Sequence, residues 1–322
     1  LIALKITNKK AALISVFALS SMPLWIQYSR YASPDIPFVL CILLVIYFFI
    51  KFLDTTESLN RACYLFGSGL FISIAFFVRS YMVFVPILGL SPFLLYHLFK
   101  SRNIFKIIFF AGILFGSIPT FINIYFSYQK FGITGITLLF EFAKDKAIGG
   151  YYFNNVLLIP LNYLYLTFPI GVFLIILTVF TRSNNNINYP FLIYVYPIFS
   201  LLILFCMSTS YLHYYLFLLP PLSILFAEKL QSHSFRFSIS KIFIKYLFLI
   251  FILFICSTIL FLLFYYNNYL IEYSYGNILL VYIVSLILVV CFILSLRHLF
   301  YINNSDYNLI KFFYNIVIPQ LI

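Results

Sequence analysis

The sequence predicts an all-α fold: a polytopic integral membrane protein with about ten transmembrane helices. Three observations carry this. Charged residues make up only 9% of the 322 and hydrophobic residues 64%, whereas a soluble domain has roughly 25% charged residues. So little polar surface cannot coat a water-soluble particle. Apolar runs close to the ~20 residues that cross a bilayer recur along the chain. The 20 Lys and Arg residues fall mostly between those runs, in connections that alternate between crowded and sparse.

Taken in order, the expected membrane helices cover 11–27, 35–52, 63–78, 81–99, 104–125, 156–180, 189–207, 214–228, 242–266 and 277–297, with a weaker apolar tail at 307–320. Pro23, Pro37, Pro86, Pro92, Pro160 and Pro169 interrupt several of them. Such breaks are tolerated where neighbouring helices or a cavity satisfy the freed backbone. Between the fifth and sixth helices lies a polar loop, 126–155. Within it Ile136, Leu139, Phe140, Ala143 and Ala147 recur at helical spacing, and Glu141, Lys144 and Asp145 fall elsewhere on the turn. This predicts an amphipathic helix lying in the membrane interface, ended by Gly149 and Gly150. It serves either as a passive anchor or as a lid over an outward-facing cavity. Residues 1–322 read as one transmembrane domain: a core over 1–230 that includes the loop 126–155, then C-terminal helices over 231–322.

A cytoplasmic N-terminus places every Lys and Arg on the cytoplasmic face except Arg30, Arg79, Lys130, Lys144 and Lys146. The reverse orientation inverts that bias, so it is rejected. The net charge of +12 is therefore mostly a topology signal, and no nucleic-acid partner is expected. Aromatics reach 22%, and most are expected to face lipid or form interfacial belts. The five cysteines lie in or beside apolar runs, with no CxxC and no Cys/His cluster, so they read as small membrane-helix residues. No phosphate-binding loop, GxGxxG, HExxH or GxSxG is present. The opening "LIALKITNKK" has no secretory-signal pattern and suggests that a further N-terminal portion precedes it.

The outer charges have no topological reason to be there. Apart from Glu272, they collect in "SRYASPD", "FFVRSYM" and the loop 126–155. Arginine and lysine at a membrane boundary bind phosphate. A carboxylate beside them can orient a sugar, hold a metal or accept a proton from an acceptor hydroxyl. A polyprenyl-phosphate-linked sugar presents its phosphate at this depth because its tail stays in the bilayer. The structural alternatives are a helix N-cap for Asp35 and an interfacial snorkel for Arg30.

The stretch "AALISVFALSSMPLWIQYSRYASPDIPFVLCILL" resembles the polyprenyl-phosphate-sugar-dependent glycosyltransferases of the GT-C fold. The branch it is most similar to holds the dolichyl-phosphate-mannose protein mannosyltransferases and the bacterial aminoarabinose transferase. Arg30, Tyr31, Ala32, Asp35 and Pro37 fit that family's R-Y-A-x-x-D-x-P pattern. "GLFISIAFFVRSYMVFVPIL" resembles its glycine-rich helix ending in a basic residue, with Arg79 where lysine is common. "GGYYFNNVLLIPLNYLYLTFPIGVFLI" resembles the segment after its large outer loop. "HYYLFLLPPLSIL" resembles its H/R-Y-x-L-P-x-x-P-x-L element, with His213, Tyr214, Pro220 and Pro221 fitting.

The resemblance covers roughly residues 10 to 230. It implies a GT-C-like membrane enzyme of the bacterial inner membrane, with its active site on the outer, periplasmic face. It would move a sugar from a polyprenyl-phosphate donor to a lipid, glycan or protein acceptor. It implies Asp35 as a catalytic carboxylate, Arg30, Arg79, Lys144 and Lys146 as donor-phosphate ligands, and Tyr31, His213 and Tyr214 as substrate-binding residues. No nucleotide site is required and no cofactor is specified; a carboxylate beside a phosphate leaves room for a divalent metal. Three departures stand out. The family's first outer loop, with its acidic general base, has no counterpart here, Ser210 occupies a place where a basic residue is common, and Phe217 replaces the element's first proline. The rival readings are a surface-glycan polymerase or ligase, a lipid-linked-sugar flippase or transporter, and an inactive subunit. The scarcity of charges at mid-helix counts against a transporter.

Overall fold

A computed structural model describes residues 1–148, 187–205 and 211–231, together with Thr167, Ile170, Gly171 and Leu174. All of these fall within one compact unit, Leu1–Ser232. The expected helices 242–266 and 277–297, the tail 307–320, Gly149, Gly150 and most of 156–180 lie outside the described residues. Among the described residues the architecture is helical, with no strand.

The first expected span is broken. After a short α1 (Ile2–Ile6), α2 (Lys9–Ser21) and α3 (Pro23–Arg30) meet at a bend of 68°. Pro23 is the first residue of α3 and has no N–H to continue the ladder of α2. Only Leu24 of α3 is buried, and Arg30 ends the helix exposed. The short helix thus runs along the end of the bundle. α4 (Asp35–Asp54) follows as an uninterrupted span.

The apolar stretch Ser58–Lys100 has 43 residues, which as one straight helix would measure about 65 Å, twice the hydrocarbon thickness. It folds back on itself. α5 (Ser58–Arg79) ends where Arg79 meets Asp35, at the start of α4. A 3₁₀ turn (Ser80–Val83) follows. α6 (Phe84–Lys100) then returns, and its Phe93 and His97 rings pack on Phe49, near the far end of α4. The reversal is made at Ser80, whose φ of 48° is rare outside glycine.

α7 (Asn103–Gly116) and α8 (Ile118–Phe131) continue one another, and the expected helix 104–125 extends to Gly132 (φ 65°). α7 packs along α5. A Cβ on Gly69 would strike the Phe109 carbonyl, and one on Gly112 would strike the Phe66 carbonyl. Gly112 and Gly116 form the small-xxx-small spacing that lets membrane helices approach backbone to backbone. Ser73 Oγ locks the pair by donating to the Ile113 carbonyl at 2.7 Å. α8 buries no residue, and its Phe121, Tyr125 and Phe126 present the apolar surface that lipid tails would cover.

The helix expected within 126–155 is α9 (Ile133–Ile148). α10 (Phe191–Phe205) packs on α6. The expected helix 214–228 divides into a 3₁₀ segment (Leu212–Leu218) and α11 (Leu219–Gln231). α11 is buried from Leu219 to Leu230 and lies against the small-residue face of α2, which holds Ala11, Ser15 and Ala18. At the end of the bundle away from Arg79, Lys5 Nζ donates to Asp54 at 2.7 Å and the Tyr189 hydroxyl donates to the same carboxylate at 2.5 Å. Asn188 Nδ2 donates to the Lys5 carbonyl. These bonds tie α1, the end of α4 and the approach to α10 together.

Candidate active site

Five pieces of chain converge at the opposite end: the C-terminus of α3, the N-terminus of α4, the C-terminus of α5, the turn Ser80–Val83 and the 3₁₀ segment Leu212–Leu218. Helix packing brings the first four together, and Leu212–Leu218 lies against both α3 and α4.

At their centre Arg79 Nη2 lies 2.9 Å from Asp35 Oδ1. Asp35 is the first residue of α4 and is buried, with 5% of its surface exposed. Arg79 is the last residue of α5, and its side chain remains 25% exposed. Each charge suits its own helix end, because an N-terminus favours an anion and a C-terminus a cation. The pair therefore joins two dipole ends of opposite sign. Asp35 does not serve as an N-cap. Pro34 holds the cap position and no side-chain cap bond is made, since the carboxylate is drawn to the guanidinium instead. The cation that meets Asp35 belongs to Arg79, while Arg30 stands exposed at the end of α3.

An aromatic cluster lies at the same end. Tyr28, on α3, belongs to the same end of the bundle. Its ring is edge-on to Tyr31 at 5.8 Å and tilted against His213 at 5.9 Å. His213 in turn stacks on Tyr211 (5.6 Å, 5° between planes) and meets Tyr214 edge-on at 4.5 Å. Tyr31 and Tyr211 are exposed, Tyr28 and His213 half-buried, and Tyr214 buried. The structure thus groups Asp35, Arg79, Tyr31, His213 and Tyr214. It adds Tyr28 and Tyr211, which the sequence did not single out. Phe217 is buried.

α9 reaches the same end through Phe140, whose ring lies 6.2 Å from that of Tyr81, two residues beyond Arg79. Tyr81 is itself held edge-on by Phe76 at 5.6 Å. Lys144 and Lys146 lie on α9, but their side chains are outside the described residues. Ser210 is outside them too. Among the described residues, no three His, Cys, Asp or Glu side chains are gathered as a metal site.

The arrangement is an all-α bundle of apolar helices. Residues 1–126 match the family model described as dolichyl-phosphate-mannose-protein mannosyltransferase. The fold is that of ArnT from Cupriavidus metallidurans, a structure solved with undecaprenyl phosphate bound. The TM-score is 0.69 at 12% identity, over 99% of this chain and 57% of that one. The chain thus spans a little over half the length of the protein it is similar to. No curated protein sequence matches it. The family model ends within α8, so Asp35 and Arg79 lie inside the matched region, whereas His213 and Tyr214 lie beyond it.

Proposed function

We propose that the protein is a membrane glycosyltransferase that takes a hexose or pentose from a polyprenyl-phosphate donor and places it on a lipid, glycan or protein acceptor at the outer face of the membrane. The observation that carries this reading is the Asp35–Arg79 pair. It sets a buried carboxylate and a partly exposed guanidinium at the end of a helix bundle, within the fold of a protein solved with a polyprenyl phosphate.

The chemistry asks for such a pair. The acceptor oxygen bonds to the anomeric carbon, the bond from that carbon to the phosphate oxygen breaks, and the phosphate leaves with the electron pair. The acceptor proton must pass to a base. Arg79 Nη2 meets Asp35 Oδ1 at 2.9 Å, and the partly exposed guanidinium can also hold the phosphate as charge develops there. Arg30, Lys144 and Lys146 would add positive charge around that phosphate. Asp35 would orient the acceptor hydroxyl or accept its proton. α9, resting on the turn that follows Arg79, would cover the donor from the interface.

The reading is tested by supplying purified full-length protein in detergent or liposomes with radiolabelled polyprenyl-phosphate sugars and a mixture of lipid and peptide acceptors. Labelled acceptor is expected, and donor that remains untouched across hexose and pentose forms would overturn the reading. Orientation is tested separately. In a background free of other reactive cysteines, Asp145→Cys should react with an impermeant maleimide on intact cells and Arg102→Cys only after permeabilisation. The opposite pattern would put the pair on the cytoplasmic face.

A further inference from the structure

The aromatic residues at the end that holds the ion pair are arranged in a way that the phosphate chemistry does not need. Tyr28 and Tyr31 come from α3 and its C-terminal cap, and Tyr211 and His213 from the segment that opens at Leu212. They meet ring to ring across the gap between those elements: Tyr31 to Tyr28, Tyr28 to His213, and His213 to Tyr211. The outer two are among the exposed large side chains at this end, at 58% for Tyr31 and 48% for Tyr211. The inner two are half-buried. Tyr214 backs His213 from beneath, buried and edge-on at 4.5 Å. The result is a chain of four rings in contact, their planes 88°, 56° and 5° apart in turn, at the end of the bundle where Asp35 meets Arg79.

A surface of this kind has a definite chemical preference. A pyranose ring presents a face of C–H bonds that is apolar and slightly positive, and a rim of hydroxyls that must be hydrogen-bonded. An aromatic face is apolar and negative over its centre, so the two stack. The rim then needs a few placed polar groups, the usual make-up of a small-molecule site. Asp35 and Arg79 supply an acceptor and donors at the same end of the bundle. We infer that Tyr28, Tyr31, His213 and Tyr211 form the aromatic cluster that seats the sugar ring of the donor, with its phosphate on Arg79. This rests on the proposed transfer activity, and it assigns to Tyr28 and Tyr211 a role in selecting the sugar.

The test separates sugar from phosphate. Binding of two lipids to purified full-length protein is compared: a polyprenyl phosphate without sugar, and the same lipid carrying the hexose or pentose that the wild type transfers. Tyr28→Ala and Tyr211→Ala should each weaken binding of the sugar-bearing lipid tenfold or more and leave the bare lipid phosphate within about twofold of wild type. Tyr28→Phe keeps the ring and should bind both normally, which also shows that position 28 tolerates substitution. Equal losses for both lipids would overturn this assignment, as would alanine variants that bind the sugar-bearing lipid like wild type. A wild-type protein that binds neither lipid would instead count against the transfer activity itself.

Discussion

Asp35→Asn is expected to lower transfer by on the order of a hundredfold or more, the usual cost of removing an acid–base or electrostatic contribution. The loss alone would not separate chemistry from architecture. Asp35 is buried and pairs with Arg79, and removing one partner of a buried pair costs about 3–5 kcal/mol, because the other charge is left uncompensated. The cost here should fall below that range, since a quarter of the Arg79 side chain is exposed and water can solvate the stranded guanidinium. Combining Asp35→Asn with Arg79→Gln removes both charges and leaves two amides facing each other. If the pair serves only to join α4 to α5, the double variant should regain both thermal stability and transfer. If Asp35 and Arg79 act on acceptor and donor, stability should return while transfer stays down. Melting temperature in detergent and initial rates with purified donor decide between these outcomes. A double variant with near wild-type rates would remove both residues from the chemistry.

How much of this could be read from the residues follows from the range of the interactions involved. Among the described residues the apolar helices were legible because membrane crossing is a one-dimensional constraint of length and apolarity. Asp35 and Arg79 could be singled out separately, since each was a charge without a topological reason. That they meet is a tertiary fact, set by how α4 packs on α5, and nothing local in "SRYASPD" distinguishes Arg79 from Arg30 as the partner. For the same reason, an N-cap was a sound expectation for Asp35. A competing cation from 44 positions away changed where the carboxylate points, and Pro34 took the cap. Tyr28 was invisible in another way. It is one of 28 tyrosines in a chain where interfacial aromatics are the rule, and only its contact with His213, far along the chain, sets it apart. The broken first span was half-legible: Pro23 marks a break, but the 68° turn that lays α3 along the site depends on what it packs against.

The contact between α5 and α7 sets the position of Arg79, and it leaves no room for a side chain. A Cβ on Gly112 would collide with the Phe66 carbonyl, and one on Gly69 with the Phe109 carbonyl. These obstacles are backbone oxygens inside helices, which cannot rotate away as a side-chain tip could. Overpacking a well-filled interior typically costs about 1–3 kcal/mol. Here the insertion would also push the helices apart along their seam and strain the bond from Ser73 to the Ile113 carbonyl. Gly112→Leu is therefore expected to abolish the monodisperse folded protein, and Gly112→Ala to lower its melting temperature clearly. The control lies on α5 itself. The nearest atoms to a Cβ on Gly67 would be those of the Phe48 ring, at 3.4 Å, an ordinary contact, so Gly67→Ala should behave like wild type. Because α5 carries Arg79 at its end, any Gly112→Ala protein that does fold should also show weakened transfer, in proportion to how far the seam has opened. Size-exclusion profiles and thermal melts of the three variants in one detergent test this. A Gly112→Leu protein that elutes and melts like Gly67→Ala would mean that α5 and α7 do not pack backbone to backbone.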